Sequence, residues 1–340
     1  MTVELEVLWF GILGVLLAGY AILDGFDLGV GMLHPLARTD RERRLFLNSI
    51  GPLWDGNEVW LVTFGGALFA AFPHAYATAF SAFYLPFMAL LFALIFRAVS
   101  IEFRSKREGR LWRGFWDGSF FAASGLATFL FGVAVGTSMI GLPIGADKEF
   151  QGVFLDLVRP YSLLVGGLAV ATFLLHGSIY LHLKTEGELQ ARIHGWMWRA
   201  FGVFLVFYLL TTMVTLVRIP ETHRHFAGNP WLWAAVVLNV LAVANIPRSI
   251  HRRRPLQAFL SSSAAIAALL FLFGAALFPN LIVSSLDPAF SLTIHNAASS
   301  QKTLGIMRNI AFLGMPFVLA YTVVVYWTFR GKVDLGKFSY

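Results

Sequence analysis

The chain has 340 residues, of which 57% are hydrophobic and only 13% are charged. A typical soluble domain has about twice that charge content, so the composition excludes a soluble globular protein. The chain has no cysteine, which excludes disulfides, thiolate metal sites and Cys-attached haem. Its apolar runs are continuous and about 20 residues long, which predicts an all-α integral membrane protein rather than a barrel of alternating strands. The net charge of +7 lies in short loops and indicates topology, not nucleic-acid binding.

Nine apolar runs predict nine transmembrane helices. Their predicted bounds are 7–35, 51–72, 76–98, 116–139, 160–183, 196–217, 230–247, 257–281 and 305–329. If the N-terminus is placed outside, all but six of the 26 Lys and Arg residues fall on the inner side. The positive-inside rule therefore predicts an outer N-terminus and a cytoplasmic C-terminus. Residues 1–340 are interpreted as a single transmembrane domain, because the longest non-helical pieces, 140–159 and 282–304, are too short to fold alone.

Four acidic residues lie within the first two predicted spans. Asp24 and Asp27 are three residues apart, as are Asp55 and Glu58, so each pair shares a helix face. A basic turn from Arg38 to Arg44 separates the two spans and marks the point where the chain leaves the membrane. Because helices joined by such a turn are antiparallel neighbours, we expect Asp27 and Asp55 to approach each other at one level.

An ionisable residue inside a membrane span costs several kcal/mol on insertion scales, so four together indicate a functional site. Burial and a nearby like charge both favour the protonated form of a carboxyl group, and a proton relay needs groups that exchange protons. The four acids therefore predict a proton path or a cation site, and nothing in the sequence selects sodium over protons. The alternative is a structural role, in which Asp55 caps its helix and Trp54 is an interfacial anchor.

Two further side chains are candidates for this site. Trp60 follows the Asp55 and Glu58 pair on the same predicted helix. Arg97 ends the third span, where it is either a counter-charge to an acid or a side chain that reaches toward the interface.

The nine histidines do not form the inward-facing pairs that a helical haem or metal protein requires. Only His176 and His182 belong to a span, and they do not share a helix face. The others lie in or beside loops, namely His34, His74, His194, His223, His225, His251 and His295. We expect this chain to bind no haem or metal itself.

Two motifs resemble a known family. The first is Asp-Gly-Phe-Asp-Leu-Gly-Val-Gly at 24–31, and the second is Trp-Asp-Gly-Asn-Glu-Val-Trp at 54–60. With the basic turn between them, they resemble subunit II of the cytochrome bd quinol oxidases. Further similar segments lie at 65–73, 96–106, 112–117, 278–279 and 291–301, so the resemblance spans essentially the whole chain.

The resemblance implies a fold, a reaction and partners. The fold would be two four-helix bundles with one peripheral helix, in a bacterial or archaeal cytoplasmic membrane. The chain would form a heterodimer with a homologous subunit I, which carries two b-type haems, haem d and the quinol site. There, two quinols supply four electrons that reduce O2 to water. A small single-helix subunit, membrane lipid and quinone are further expected partners, and nucleic acid is not.

The resemblance also assigns roles to residues of this sequence. Asp27 and Asp55 would be carboxylates of a proton path from the cytoplasm, with Trp54 beside the second. Trp60 would match a tryptophan associated with oxygen access in some members. Glu58 stands where other members carry Gln, so its role is the least specific of the four acids, while Asp24 is assigned to the path by its helix face alone.

Two other functions are compatible with the same residues. An ion-coupled secondary transporter would use the intramembrane acids as coupling sites, and this chain alone would then transport a substrate. A purely structural chaperone of a haem subunit would lose assembly rather than turnover when the acids are changed. Co-purification with a haem-bearing membrane chain would exclude the transporter.

Overall fold

A computed structural model describes residues 4–219 and 230–336, without the side chain of Trp231. Within these ranges the chain forms eleven α-helices. They are α1 Leu5–Leu33, α2 Asp40–Ile50, α3 Trp54–Ala71, α4 Pro73–Ala82, α5 Tyr84–Phe103, α6 Arg110–Ile140, α7 Pro160–Lys184, α8 Gly187–Arg218, α9 Pro230–His251, α10 Pro255–Leu277 and α11 Gln301–Thr328. The strands β1 Asn280–Ile282 and β2 Leu292–Thr293 pair antiparallel. Two of the nine histidines, His223 and His225, and two of the 26 basic residues, Arg224 and Lys337, lie outside the described residues.

Eight helices of the described ranges are long and apolar enough to cross a membrane, namely α1 and α5 to α11. The prediction of an all-α integral membrane protein is therefore confirmed. The second predicted span is helical as α3 but is not among the eight, because Asp55, Asn57 and Glu58 lower the mean hydropathy of its first turns. The count of nine spans, the two bundles and the orientation of the termini remain predictions.

The basic segment after α1 is not a simple turn, which corrects the prediction for Arg38–Arg44. It contains α2, whose start is capped by the Thr39 hydroxyl accepting a hydrogen bond from the Glu42 backbone N–H over 3.2 Å. A Thr followed three residues later by Glu is typical of a helix start. Phe46 and Ile50 on one face of α2 are fully buried, so this short helix packs on the bundle as an amphipathic element.

Glu42 joins α2 to α8 through an ion pair with Arg192 at 2.6 Å. Burial by itself would raise the pKa of Glu42. The hydrogen bond from the Arg38 backbone N–H, together with Arg192, holds that pKa below its ordinary value instead. The ionised carboxylate therefore contributes to holding α2 in place.

The third predicted span, 76–98, is also corrected. The structure has two helices there, α4 and α5, which separate at Phe83, and α5 runs on to Phe103. The reason is Pro86, which has no N–H to bond the carbonyl of Ala82 four residues earlier and whose ring crowds that carbonyl. The other predicted spans overlap observed helices.

The two long non-helical segments pack against each other. The Leu142 N–H donates to the Val283 carbonyl over 2.9 Å, and the Ser285 N–H donates to the Leu142 carbonyl over 2.8 Å. Leu142 and Ile282 are buried in one apolar cluster with residues of α1 and α3. The segments thus cover one end of the helices rather than forming a domain of their own.

Candidate functional site

The second half of α1 lies in the interior of the helices. Every residue from Asp24 to Leu33 is buried. Gly29 lies directly against α7, so close that a Cβ there would stand 2.0 Å from the Phe173 carbonyl oxygen and 2.8 Å from the Gly177 Cα. Glycine at both positions lets the two backbones touch. The acidic side chains of α1 are consequently enclosed by protein rather than facing lipid.

Asp24 forms an ion pair with Arg97 of α5. The two guanidinium nitrogens of Arg97 donate to the two carboxylate oxygens, Nη1 to Oδ2 over 2.9 Å and Nη2 to Oδ1. Asp24 is 0% exposed and Arg97 is 1% exposed. The sequence left two roles open for Arg97, and in the structure Arg97 is the counter-charge to an acid. The two parallel hydrogen bonds fix both side chains.

Asp27 has a different partner. Asn57 of α3 donates from Nδ2 to Asp27 Oδ2 over 2.8 Å, and also contacts the Leu23 carbonyl at 3.1 Å. The Asn57 Oδ1 in turn accepts a hydrogen bond from the Tyr326 hydroxyl of α11 over 2.9 Å. The other oxygen of Asp27, Oδ1, is buried without a hydrogen-bond partner among the described residues. Three helices therefore meet in a short polar chain with one acceptor still available.

The acids of α3 are less enclosed than those of α1. Asp55 is exposed on the surface of this chain, and Glu58, one turn later, is half-buried. Glu58 lies within electrostatic range of Arg97, Asp24 and Asp55. The expected approach of Asp27 to Asp55 is corrected, because the α3 residue that contacts Asp27 is Asn57. Asp55 projects from a different side of the first turn of α3.

The two tryptophans of the motif have different surroundings. The Trp60 indole lies on Gly19 of α1, where a Cβ would stand 2.3 Å from its ring. Trp60 also lines a cavity of about 240 Å³ between α1, α3 and α11, together with Asn57 and Tyr326. Trp54 is partly buried against an apolar cluster of α1, α2 and α7. The polar chain from Asp27 therefore opens into a cavity beside Trp60.

The histidine in the middle of a span, His176, is fully engaged. Its Nδ1 lies 2.7 Å from the Ser262 hydroxyl and its Nε2 lies 3.0 Å from the Ile22 carbonyl. Its ring stacks on Phe259 with centroids 4.9 Å apart. Among the described residues, no group of three His, Asp or Glu side chains could hold a metal ion. Both ring nitrogens of His176 are therefore engaged within the described residues.

Sequence reasoning missed three polar residues of the interior. Asn57 lies within the motif at 54–60 but was passed over because it carries no charge. Tyr326 is 269 residues from Asn57. His34 was assigned to a loop, yet it is 1% exposed and its Nε2 lies 2.6 Å from Asp117 Oδ1. The polar position Asn57, two residues after Asp55 in an apolar helix, was the one signal that could have indicated this chain of contacts.

The chain is similar to known proteins over nearly its whole length. The family model described as cytochrome bd terminal oxidase subunit II matches residues 5–329. The chain is 37% identical over 360 residues to cytochrome bd-I ubiquinol oxidase subunit 2 of Escherichia coli (strain K12), covering 97% of this chain and 95% of that one. It is 36% identical over 333 residues to cytochrome bd ubiquinol oxidase subunit 2 of Bacillus subtilis (strain 168), covering 97% of each.

A solved structure shares the fold. A chain in the structure of bd oxidase from Geobacillus thermodenitrificans superimposes with a TM-score of 0.79, covering 97% of this chain and 99% of that chain. The sequence identity is 19%, so this similarity concerns the fold alone.

Proposed function

The chain belongs to the cytochrome bd terminal oxidase subunit II family, and from this premise we propose the role of its buried acids. As a member it is a subunit of a terminal quinol oxidase, an oxidoreductase, and a multi-pass protein of the bacterial inner membrane. Membership implies haem in the complex and association with subunit I. It favours the oxidase over an ion-coupled transporter. The proposed role is to deliver protons from the cytoplasm toward the oxygen-reducing site of subunit I.

The observation that carries this proposal is the environment of Asp27. The Arg97 fork is occupied by Asp24, so Asp27 lies in the interior without a direct ion pair. Its Oδ1 has no hydrogen-bond partner in the part of the chain that the structure describes and is available to water or to a partner subunit. A carboxyl group in that situation can take up and release a proton, whereas both oxygens of the Asp24 carboxylate are engaged by Arg97.

The surrounding residues suggest the course of the path. Asp55 is exposed and serves as the entry, and Glu58, one turn further along α3, is half-buried and leads inward. Asp24 orients Arg97 and sets the charge around the path. Trp60 lines the cavity of about 240 Å³ and, with Trp54, belongs to the packing or the oxygen access of the site.

We place the cofactors on the partner. The resemblance implies two b-type haems and haem d, held with the quinol site by subunit I. His176, the histidine in the middle of a span, does not fit a haem ligand, because both of its nitrogens are hydrogen-bonded and its ring is stacked on Phe259. This chain would therefore conduct protons while the electron chemistry occurs next to it.

The test is Asp27→Asn in the assembled oxidase. Asparagine can still accept the hydrogen bond from Asn57, so we expect the complex to assemble with unchanged haem spectra. Oxygen consumption with quinol should fall at least about tenfold, because the asparagine side chain cannot take up and release a proton. Asp334→Asn is the matched control, since Asp334 is exposed near the C-terminus. Unchanged turnover of the Asp27→Asn complex would refute the proton role, and loss of haem would support the chaperone role instead.

A further inference from the structure

A second cavity, of about 440 Å³, lies where α2, the end of α5 and the start of α6 meet. It is separate from the proposed proton path and does not depend on it. Four arginines and three acids line it with one glycine: Arg43, Arg104, Arg110, Arg113, Asp40, Glu108, Asp117 and Gly114. Four positive charges against three carboxylates leave a surplus of one positive charge.

Two of the three carboxylates in this cavity, Asp40 and Asp117, are already bound to arginines. Arg104 donates from Nε to Asp117 Oδ1 over 2.5 Å and from Nη2 to Asp40 Oδ1 over 2.8 Å. Asp40 also pairs with Arg113 at 3.4 Å, and Asp117 pairs with Arg43 at 3.6 Å. Burial by itself would raise the pKa of Asp40, but the hydrogen bond from Arg104 and the charge of Arg113 hold that pKa below its ordinary value. Both carboxylates thus stay ionised and fix the guanidinium groups around the cavity.

Three guanidinium N–H donors of these arginines have no acceptor within residues 4–219 and 230–336. They are Nη1 of Arg104, Nε of Arg43 and Nε of Arg113, and each atom is enclosed. Arg104 itself is only 2% exposed. A buried donor on a charged group is costly to leave unbonded. The three arginine side chains come from separate elements and line one cavity, so their unbonded donors indicate a bound anion with several acceptor oxygens.

We propose that this cavity binds the phosphate group of an anionic phospholipid. Planar guanidinium groups match phosphate oxygens well, and basic pockets between helices on the cytoplasmic side are known to hold lipid headgroups. The surplus of one positive charge balances a single phosphodiester.

The surface beside the cavity supports a lipid over free phosphate. Phe103, which precedes Arg104, is 46% exposed, and Leu111 and Phe115 of α6 are 92% and 58% exposed. Trp112 and Trp116 stack edge to face next to them at 5.6 Å. Aromatic side chains are enriched at the membrane interface. Exposed apolar side chains directly beside a charged cavity fit a ligand with a phosphate and an acyl chain.

The test uses the purified, delipidated oxidase complex in detergent, titrated with dioleoyl phosphatidylglycerol and read by native mass spectrometry. Replacing two lining arginines, Arg110→Gln with Arg113→Gln, should weaken the binding of the lipid at least about tenfold, because two charge-assisted contacts are lost. Arg38→Gln with Arg41→Gln is the matched control; it removes the same charge from exposed side chains that do not line the cavity. We expect the control to bind as the parent does. Equal weakening in both pairs would show general charge attraction and overturn the site.

Two further measurements separate the sources of phosphate and guard against misfolding. Arg110→Gln alone changes an exposed residue, so that variant should fold and still bind several-fold more weakly. If the Arg110→Gln complex and the double variant both fold and both bind the lipid as tightly as the parent, the site is refuted. Inorganic phosphate should not displace the lipid at concentrations where phosphatidylglycerol binds. Displacement that depends on Arg110 and Arg113 would identify a free-phosphate site and overturn the lipid assignment.

Discussion

The buried pair of Asp24 and Arg97 allows a quantitative prediction about what holds the polar interior together. Both side chains are enclosed, and the guanidinium contacts both carboxylate oxygens. We consider three variants: Asp24→Asn, Arg97→Gln and the two combined. Each single change leaves one charge buried without its partner, whereas the combined change leaves two neutral amide side chains.

The expected magnitude follows from the burial of both groups. Removing one member of a buried ion pair typically costs about 3–5 kcal/mol, most of it the penalty for the charge that remains. The double variant has no such charge and should lose no more stability than either single variant. The coupling energy between the two sites, which is the sum of the two single losses minus the loss of the double variant, should therefore be at least about 3 kcal/mol, at the upper end of values for residues in contact.

The assay is equilibrium unfolding of the oxidase complex in mixed detergent and SDS micelles, with haem absorbance as a separate measure of assembly. Both single variants should unfold at lower SDS fractions than the parent. The double variant should lose less stability than the sum of the two single losses. A double variant whose loss equals the sum of the two single losses would show that the residues act independently. The ion pair would then not be the contact that stabilises this part of the interior.

Two further predictions concern the helix interior and the membrane surface. Gly29→Ala should lower the free energy of unfolding by about 1–3 kcal/mol, because its Cβ would collide with the backbone at Phe173 and Gly177; Gly11→Ala, with nothing within 4 Å, is the control and should stay near the parent. Because the pKa of Glu42 is lowered in the folded chain, its contribution to stability should be present above the unfolded value of about 4.3 and be lost as the pH falls through the folded pKa. Glu42→Gln should therefore lose stability near neutral pH and approach the parent in acid, and a difference independent of pH would contradict this.

The positions of the helices were predictable from the sequence where the need to cross lipid alone determines them. Runs of apolar residues predicted α7 to within one residue of both ends, and α6 to within one residue of its C-terminal end but six residues short of its start. They do so because a segment in hydrocarbon must satisfy its own backbone hydrogen bonds. The break at Phe83 and the helix α2 were not predicted, although Pro86 and the Thr39 cap were visible in the sequence. Those two errors came from giving the hydropathy of a whole segment more weight than local backbone chemistry.

The sequence predicted which residues belong to the candidate site, but not which of them contact one another. The motifs placed four acids on α1 and α3, but they did not indicate that Arg97, 73 residues from Asp24, would pair with that acid. Nor did they indicate that Asn57 rather than Asp55 would face Asp27. Spacing along a helix says which residues share a face, not which neighbour that face meets.

The sequence by itself determined that this chain crosses the membrane as helices and carries carboxyl groups inside it. Both facts follow from composition, since water-free surroundings restrict the backbone and make each intramembrane charge costly. Only the tertiary structure decided which acid is paired with Arg97 and which keeps an unbonded oxygen. That choice depends on the rotation of α1 about its axis, which the contact of Gly29 with Gly177 fixes through close packing of two backbones.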